Sequence, residues 1–204
     1  MDALYIIDLF VPLAQRCEFA EGGWVNKCLQ PIGLAGLLAA LLAGCADSPP
    51  SRVGDIPESL RVPATEVLAQ QARATGVQIY RCSAGKDDAA RFEWSLTGPE
   101  ADLFDHAGHP LGRHYAGPTW EARDGSKVSG EVVARASPDP NSIAWLLLKA
   151  KTVSGSGKFG TVRYIQRLHT VGGNAPPDGC SQGSVGWEAR VSYSADYLFY
   201  VDKP

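Results

Sequence analysis

From Val191 to Val201 the chain EARVSYSADYLFYV places Val191, Tyr193, Ala195, Tyr197, Phe199 and Val201 at every second position. That period belongs to a β-strand, whose successive side chains point to opposite faces, and no helix gathers these six residues on one side. The pattern recurs upstream. "GVQIYRC" runs to Cys82, "RFEWSL" aligns Phe92, Trp94 and Leu96, "KVSGEVVARA" aligns Val128, Val132 and Ala134, and "GTVRYIQRL" adds another. "SIAWLLLKA", apolar at both phases between "SPDPN" and "SGSG", predicts a strand covered on both faces. Only "ATEVLAQQARATG" is open: its composition suits a helix, while Val67 and Ala69 also allow a strand. Short strands punctuated by glycine and proline predict an all-β domain over residues 61–204. It would be a sandwich or barrel of mainly antiparallel strands with few or no helices. A hydrophobic content of 45% is enough for one core, and no internal repeat or second domain is evident.

Ahead of that domain lies IGLAGLLAALLAGCADSPPS. Its uncharged run, Ile32 to Gly44, is too short to cross a bilayer as a helix but suits the apolar region of an export signal. Leu42-Ala43-Gly44-Cys45 resembles the lipobox of bacterial lipoproteins, in which the cysteine thiol takes a diacylglycerol. The expectation is a signal peptide over 1–44 and a lipidated Cys45, with a flexible tether over 45–60 in which Pro49, Pro50 and Pro57 sit among small polar residues. Ala46 after the cysteine resembles the outer-membrane sorting pattern, which places the domain in the cell envelope, facing the periplasm. Residues 1–24 carry four acids and one arginine, unlike the positive opening of a signal peptide. They read as an extension, with translation starting at Val25 and Lys27 supplying the charge. Sequencing the unprocessed precursor and finding Met1 would remove that reading.

Processing at Cys45 would leave Cys82 and Cys180 as the remaining thiols. In an oxidising compartment they are expected to pair. Closing a loop of about 100 residues stabilises a fold by roughly 4.7 kcal/mol in the chain-entropy account.

Several function classes lose support. A formal net charge of −3 without a dense Lys/Arg run leaves no footprint for nucleic acid. "GCSQG" spells a hydrolase elbow but follows a proline-bearing loop, not a strand leading to a helix, and its cysteine is claimed by the pairing. "GSGKFG" lacks both the first glycine and the Ser/Thr of a phosphate loop, and no GxGxxG opens a helix. No cofactor is expected.

The candidate residues cluster in GRHYAGPTWEARDGSKVSG. Tyr115 and Trp120 beside Asp124 and Lys127 offer flat faces with polar edges, suited to a sugar or another planar ligand. Trp120 alternates with Ala122, which equally predicts an inward core position, and Asp-Gly predicts a tight two-residue hairpin loop. His114 with Asp124 could form an acid/base pair if the fold brings them within hydrogen-bond reach. His106, His109 and His114 could ligate zinc, but their spacing matches no tight metal motif, and no metal is expected.

The ordered segments "GVQIYRC", "HYAGPTWEARDGSKVSGEVVA", "IAWLLLKA", "GTVRYIQRLHTVGGNAPPDGC" and "YSADYLFY" together resemble the bacterial and fungal family called domain of unknown function 3455, over about Pro63 to Tyr200. The resemblance singles out Gln78, His114, Trp120, Asp124, Gln166 and Arg167 as polar or aromatic positions, and implies no reaction. The leading expectation is a lipid-anchored envelope module that binds a small molecule or a glycan. Two alternatives are an envelope enzyme using His114 and Asp124, and a structural, interaction or stress-related protein. A cavity with convergent polar groups would favour the first two, and a filled interior the third. The oligomeric state is left open.

Overall fold

The structure, a computed structural model, describes residues 56–204, so the expected signal peptide, Cys45 and the start of the tether lie outside the described residues. Eight antiparallel strands close into a barrel in sequence order: β1 (Glu66–Ala84), β2 (Phe92–Phe104), β3 (Pro110–Tyr115), β4 (Thr119–Ala122), β5 (Lys127–Ala136), β6 (Trp145–Ser154), β7 (Tyr164–Gly172) and β8 (Glu188–Asp202). β8 returns to pair with β1, so neither outer strand is left with an unpaired edge. The domain is all-β, and of the two architectures expected it is the barrel. The ambiguous segment ATEVLAQQARATG is strand, forming the first half of β1. There Ala72 and Ala74 turn inward against Tyr197 and Ala195 of β8, and that packing overrides the local helix preference.

Closure needs curvature, and bulges supply it. The register slips at Ile79/Tyr80 against β2, at Leu68/Gln70 against β8, and at Ser129/Gly130 and Val132/Ala134 against β6. The slip after Val132 corrects one expectation. Val128 faces the core and Val132 lies at a rim, while Ala134 is turned outward onto a second apolar cluster. At Gly76 the β1 and β2 backbones approach so closely that a Cβ would overlap Ala101, which is why no side chain stands there.

An up-and-down barrel has two ends, and its hairpin connections alternate between them. One end is stoppered: the β6–β7 connection folds inward, burying Phe159 and Val162, with the Phe159 and Phe199 ring centroids 4.4 Å apart. Asp124 and Ser126, in the β4–β5 connection, hold that stopper. The Asp124 carboxylate accepts from the backbone N–H of Lys158 at 2.9 Å and of Ser126 at 2.9 Å, and Ser126 Oγ accepts from the Phe159 N–H at 3.0 Å. The hairpin turn is wider than the two residues expected. Only Gly125 takes a positive φ, of 83°, and the bonds from Ser126 to Asp124 favour the longer connection Arg123–Ser126.

β6 is covered on both faces, as its unbroken apolar run predicts. Leu146 and Leu148 face the interior, while Trp145 and Leu147 lie beneath a strap formed by residues 56–62. The strap corrects the extent of the tether: Glu58–Leu60 is a 3-10 turn, and Leu60 is fully buried against Trp145, Leu147 and Leu168. Burying that leucine contributes about 2 kcal/mol, enough to order a segment whose composition reads as a linker. Cys82 of β1 is bonded to Cys180 in the β7–β8 connection, with Cα atoms 5.3 Å apart. That bond ties the long connection to the end opposite the stopper.

Candidate functional site

Above the Phe159–Phe199 layer the interior is not filled. A cavity of about 470 Å³ occupies the other end of the barrel, within the range that holds a small organic ligand. Its walls are mostly apolar, including Ile143, Leu146 and Leu148, and it reaches the surface where Leu96, 57% exposed, lines its mouth. Gln78, His114, Trp120, Arg167 and Tyr197 also line it. Strand alternation brings them together: Gln78 is an inward position of β1, His114 of β3, Trp120 of β4, Arg167 of β7 and Tyr197 of β8.

His114 is held in one state. Its Nδ1 lies 2.8 Å from the Thr119 carbonyl oxygen, which can only accept, so Nδ1 carries the proton and Nε2 keeps a lone pair. Burial pushes its pKa down to about 3, and the charge of Arg167 acts in the same direction, so the ring is neutral at physiological pH. It stacks on Trp120 at 4.4 Å, and Tyr197 meets both rings edge-on at 5.0 and 5.3 Å.

The polar atoms around these rings are unusual for an interior. Gln78 Nε2, Trp120 Nε1, Tyr193 Oη and Tyr197 Oη are buried without a hydrogen-bond partner among the described residues. Leaving one such group unpaired costs about 1–3 kcal/mol, and the two tyrosine hydroxyls have only each other and Arg167 close by. Burial raises the pKa of both tyrosines, so their hydroxyls stay protonated and can donate. Arg167 is half-buried, its Nε and Nη2 donating to the Ala144 carbonyl at 3.1 and 2.9 Å, and among the described residues it forms no ion pair.

Four of the expected ligand residues, Gln78, His114, Trp120 and Arg167, thus share one cavity, and three do not. Tyr115 is on the outer face, opposite to Trp120, where its hydroxyl donates to Glu121 at 2.9 Å beside Arg113 and Lys127. The expected face of Tyr115 with Trp120 therefore does not form, because Trp120 pairs with His114 and Tyr115, the next residue along β3, points to the opposite side. Asp124 belongs to the stoppered end, where its three hydrogen bonds, led by that from the Lys158 N–H, lower its pKa to about 2. No hydrogen bond joins it to His114, so the expected acid/base pair is not assembled. Gln166 faces outward beneath the strap: its Nε2 donates to the Leu60 carbonyl at 2.7 Å, and Tyr200 Oη donates to its Oε1 at 2.7 Å.

The three histidines are likewise parted. His106 and His109 lie in the β2–β3 connection at the stoppered end, with His109 Nδ1 3.4 Å from Asp105, while His114 is inside the barrel. Among the described residues no three His, Cys, Asp or Glu side chains converge to hold a metal. The site also contains residues that sequence reasoning did not single out. Tyr197 was visible as an inward position of β8, and a hydroxyl on an otherwise apolar stripe was the available signal; Tyr193 is buried on the same stripe without lining the cavity. Arg135, at the rim, carries none, because the bulge after Val132 changes the face it presents.

The profile of the family described as "Protein of unknown function (DUF3455)" matches residues 63–201, nearly all of the barrel. No curated protein and no solved structure matches the chain.

Proposed function

The chain belongs to the DUF3455 family of proteins of unknown function, and from the interior of its barrel we propose that it binds a small, largely apolar molecule. One observation carries this reading: Gln78, Trp120 and Tyr197, each 1% exposed, present unpartnered polar atoms within the walls of an otherwise apolar cavity of about 470 Å³. A filled interior would have favoured a protein that works only through its outer surface. Donors left unpaired beside an unfilled cavity favour a ligand, since a small shift of the wall that pairs them with it recovers their desolvation cost. A glycan is the poorer occupant, because its many hydroxyls need many acceptors and the wall is mainly aliphatic. The enzyme alternative loses its main support with the separation of His114 from Asp124.

Paired native and denaturing mass spectrometry tests the reading. The protein as purified should show a native mass above the denatured one by a discrete increment. Equal masses, together with no uptake of the apolar dye anilinonaphthalene sulfonate, would overturn it.

The setting proposed is the cell envelope, with a lipid on Cys45. Supporting it are the lipobox-like LAGC at residues 42–45 and the Cys82–Cys180 disulfide, a bond that persists in oxidising compartments. Radiolabelled palmitate should enter the protein and fail to enter Cys45→Ala; label retained in that variant would contradict the anchor.

A further inference from the structure

The cavity wall is unbalanced in what it offers a ligand. Arg167 offers the N–H groups not spent on Ala144, while Gln78 Nε2, Trp120 Nε1 and Tyr197 Oη stand unpartnered behind the accessible surface of the wall. Side-chain acceptors in the wall are neutral: His114 Nε2, by its tautomer, and the Gln78 amide oxygen. Among the described residues that line the cavity there is no aspartate or glutamate, while Arg167 lies within it and the exposed Arg135 stands at its rim. A half-buried cation with no acid beside it selects a head of negative charge. The aliphatic wall selects an apolar body.

The magnitude of that charge follows from the same count. A net charge buried in an apolar interior is expensive unless matched, and one interior guanidinium matches one negative charge. A carboxylate presents two oxygens in the spacing a guanidinium addresses, and such charge-assisted bonds are about twice as strong as neutral ones. A doubly charged phosphate would leave one charge uncompensated at depth. Resting on the ligand-binding reading above, we infer that the occupant is a small monocarboxylate with an apolar body, its head on Arg167 and its body against Ile143, Leu146 and Leu148.

Calorimetric titration of the full chain with matched acids and amides tests this. The probes are 2-naphthoate against 2-naphthamide, and octanoate against octanamide. The acid should bind at least about tenfold more tightly than its amide in one of the pairs, which also tells a ring from a chain. Arg167→Met should abolish that preference while amide binding remains, and Arg167→Lys should keep part of it, since lysine supplies the charge without the fork. A preference that survives Arg167→Met overturns the assignment of the anchor. Equal binding of acid and amide in both pairs overturns the carboxylate and leaves the cavity reading standing. Failure of all four probes overturns both. The wild-type comparison decides the carboxylate even where Arg167→Met fails to fold, which circular dichroism would reveal.

Discussion

Burial decides what His114 does. With Nδ1 committed to Thr119 and its pKa held down to about 3, the ring serves as a neutral part of the cavity wall stacked on Trp120. The depressed value has a signed consequence. In the unfolded chain a histidine takes up a proton below about pH 6.5, while the folded protein does not until about pH 3, so stability present above pH 6.5 is lost as the pH falls through that window. Between pH 7 and pH 5 the loss from this residue is about 2 kcal/mol. Urea unfolding should show wild type losing about that much more than His114→Gln, whose amide can keep the bond to Thr119. Parallel losses in the two proteins would mean that His114 is not buried neutral. At this scale the inward positions of Trp120 and Tyr197 were legible from alternation alone. Their company was not: Gln78 and Arg167 reach the same cavity from strands far apart in sequence, and only the closed register brings them together.

The strap is the element whose role the sequence concealed. Residues 56–62 read as the end of a proline-bearing tether, yet Leu60 seals the outward face of β6 and β7 and its carbonyl is held by Gln166. The signal lay in the partner instead. Trp145 and Leu147 are outward positions of a strand apolar on both sides, which requires a cover, though nothing local says which segment provides it. Gln166→Ala would leave the Leu60 carbonyl and the Tyr200 hydroxyl without their partner, at a cost of about 2 kcal/mol. Hydrogen exchange should then accelerate across residues 58–62 before the barrel strands are affected. Unchanged protection there would show that apolar packing alone holds the strap. The bulges are the other feature that sequence hid. The slip after Val132 reverses which residues face inward, turning Ala134 out, with Arg135 at the rim, and no residue type marks it.

For the whole molecule, closure explains both the fold and the site. Eight strands enclose a space that side chains can fill or a ligand can share, and this barrel does one at each end. Phe159 and Phe199 fill the stoppered end, where Asp124 and Ser126 latch the β6–β7 connection. At the other end the disulfide anchors the long β7–β8 connection, whose Asn174 borders the cavity. The all-β class was legible from strand period and turn residues. Which end is open was not, because that depends on Phe159 folding back from a loop. The central claim is that this open end is a binding site, and the indole N–H of Trp120 reports on it directly. Trp94, Trp145 and Trp187 do not line the cavity, and Trp187 is 66% exposed. In a nitrogen–proton NMR spectrum, with the Trp120 signal assigned from Trp120→Phe, addition of 2-naphthoate should move that resonance and leave those of Trp94, Trp145 and Trp187 in place. A Trp120 signal that stays fixed while the exposed Trp187 signal moves would place the probe on the outer surface and contradict the account.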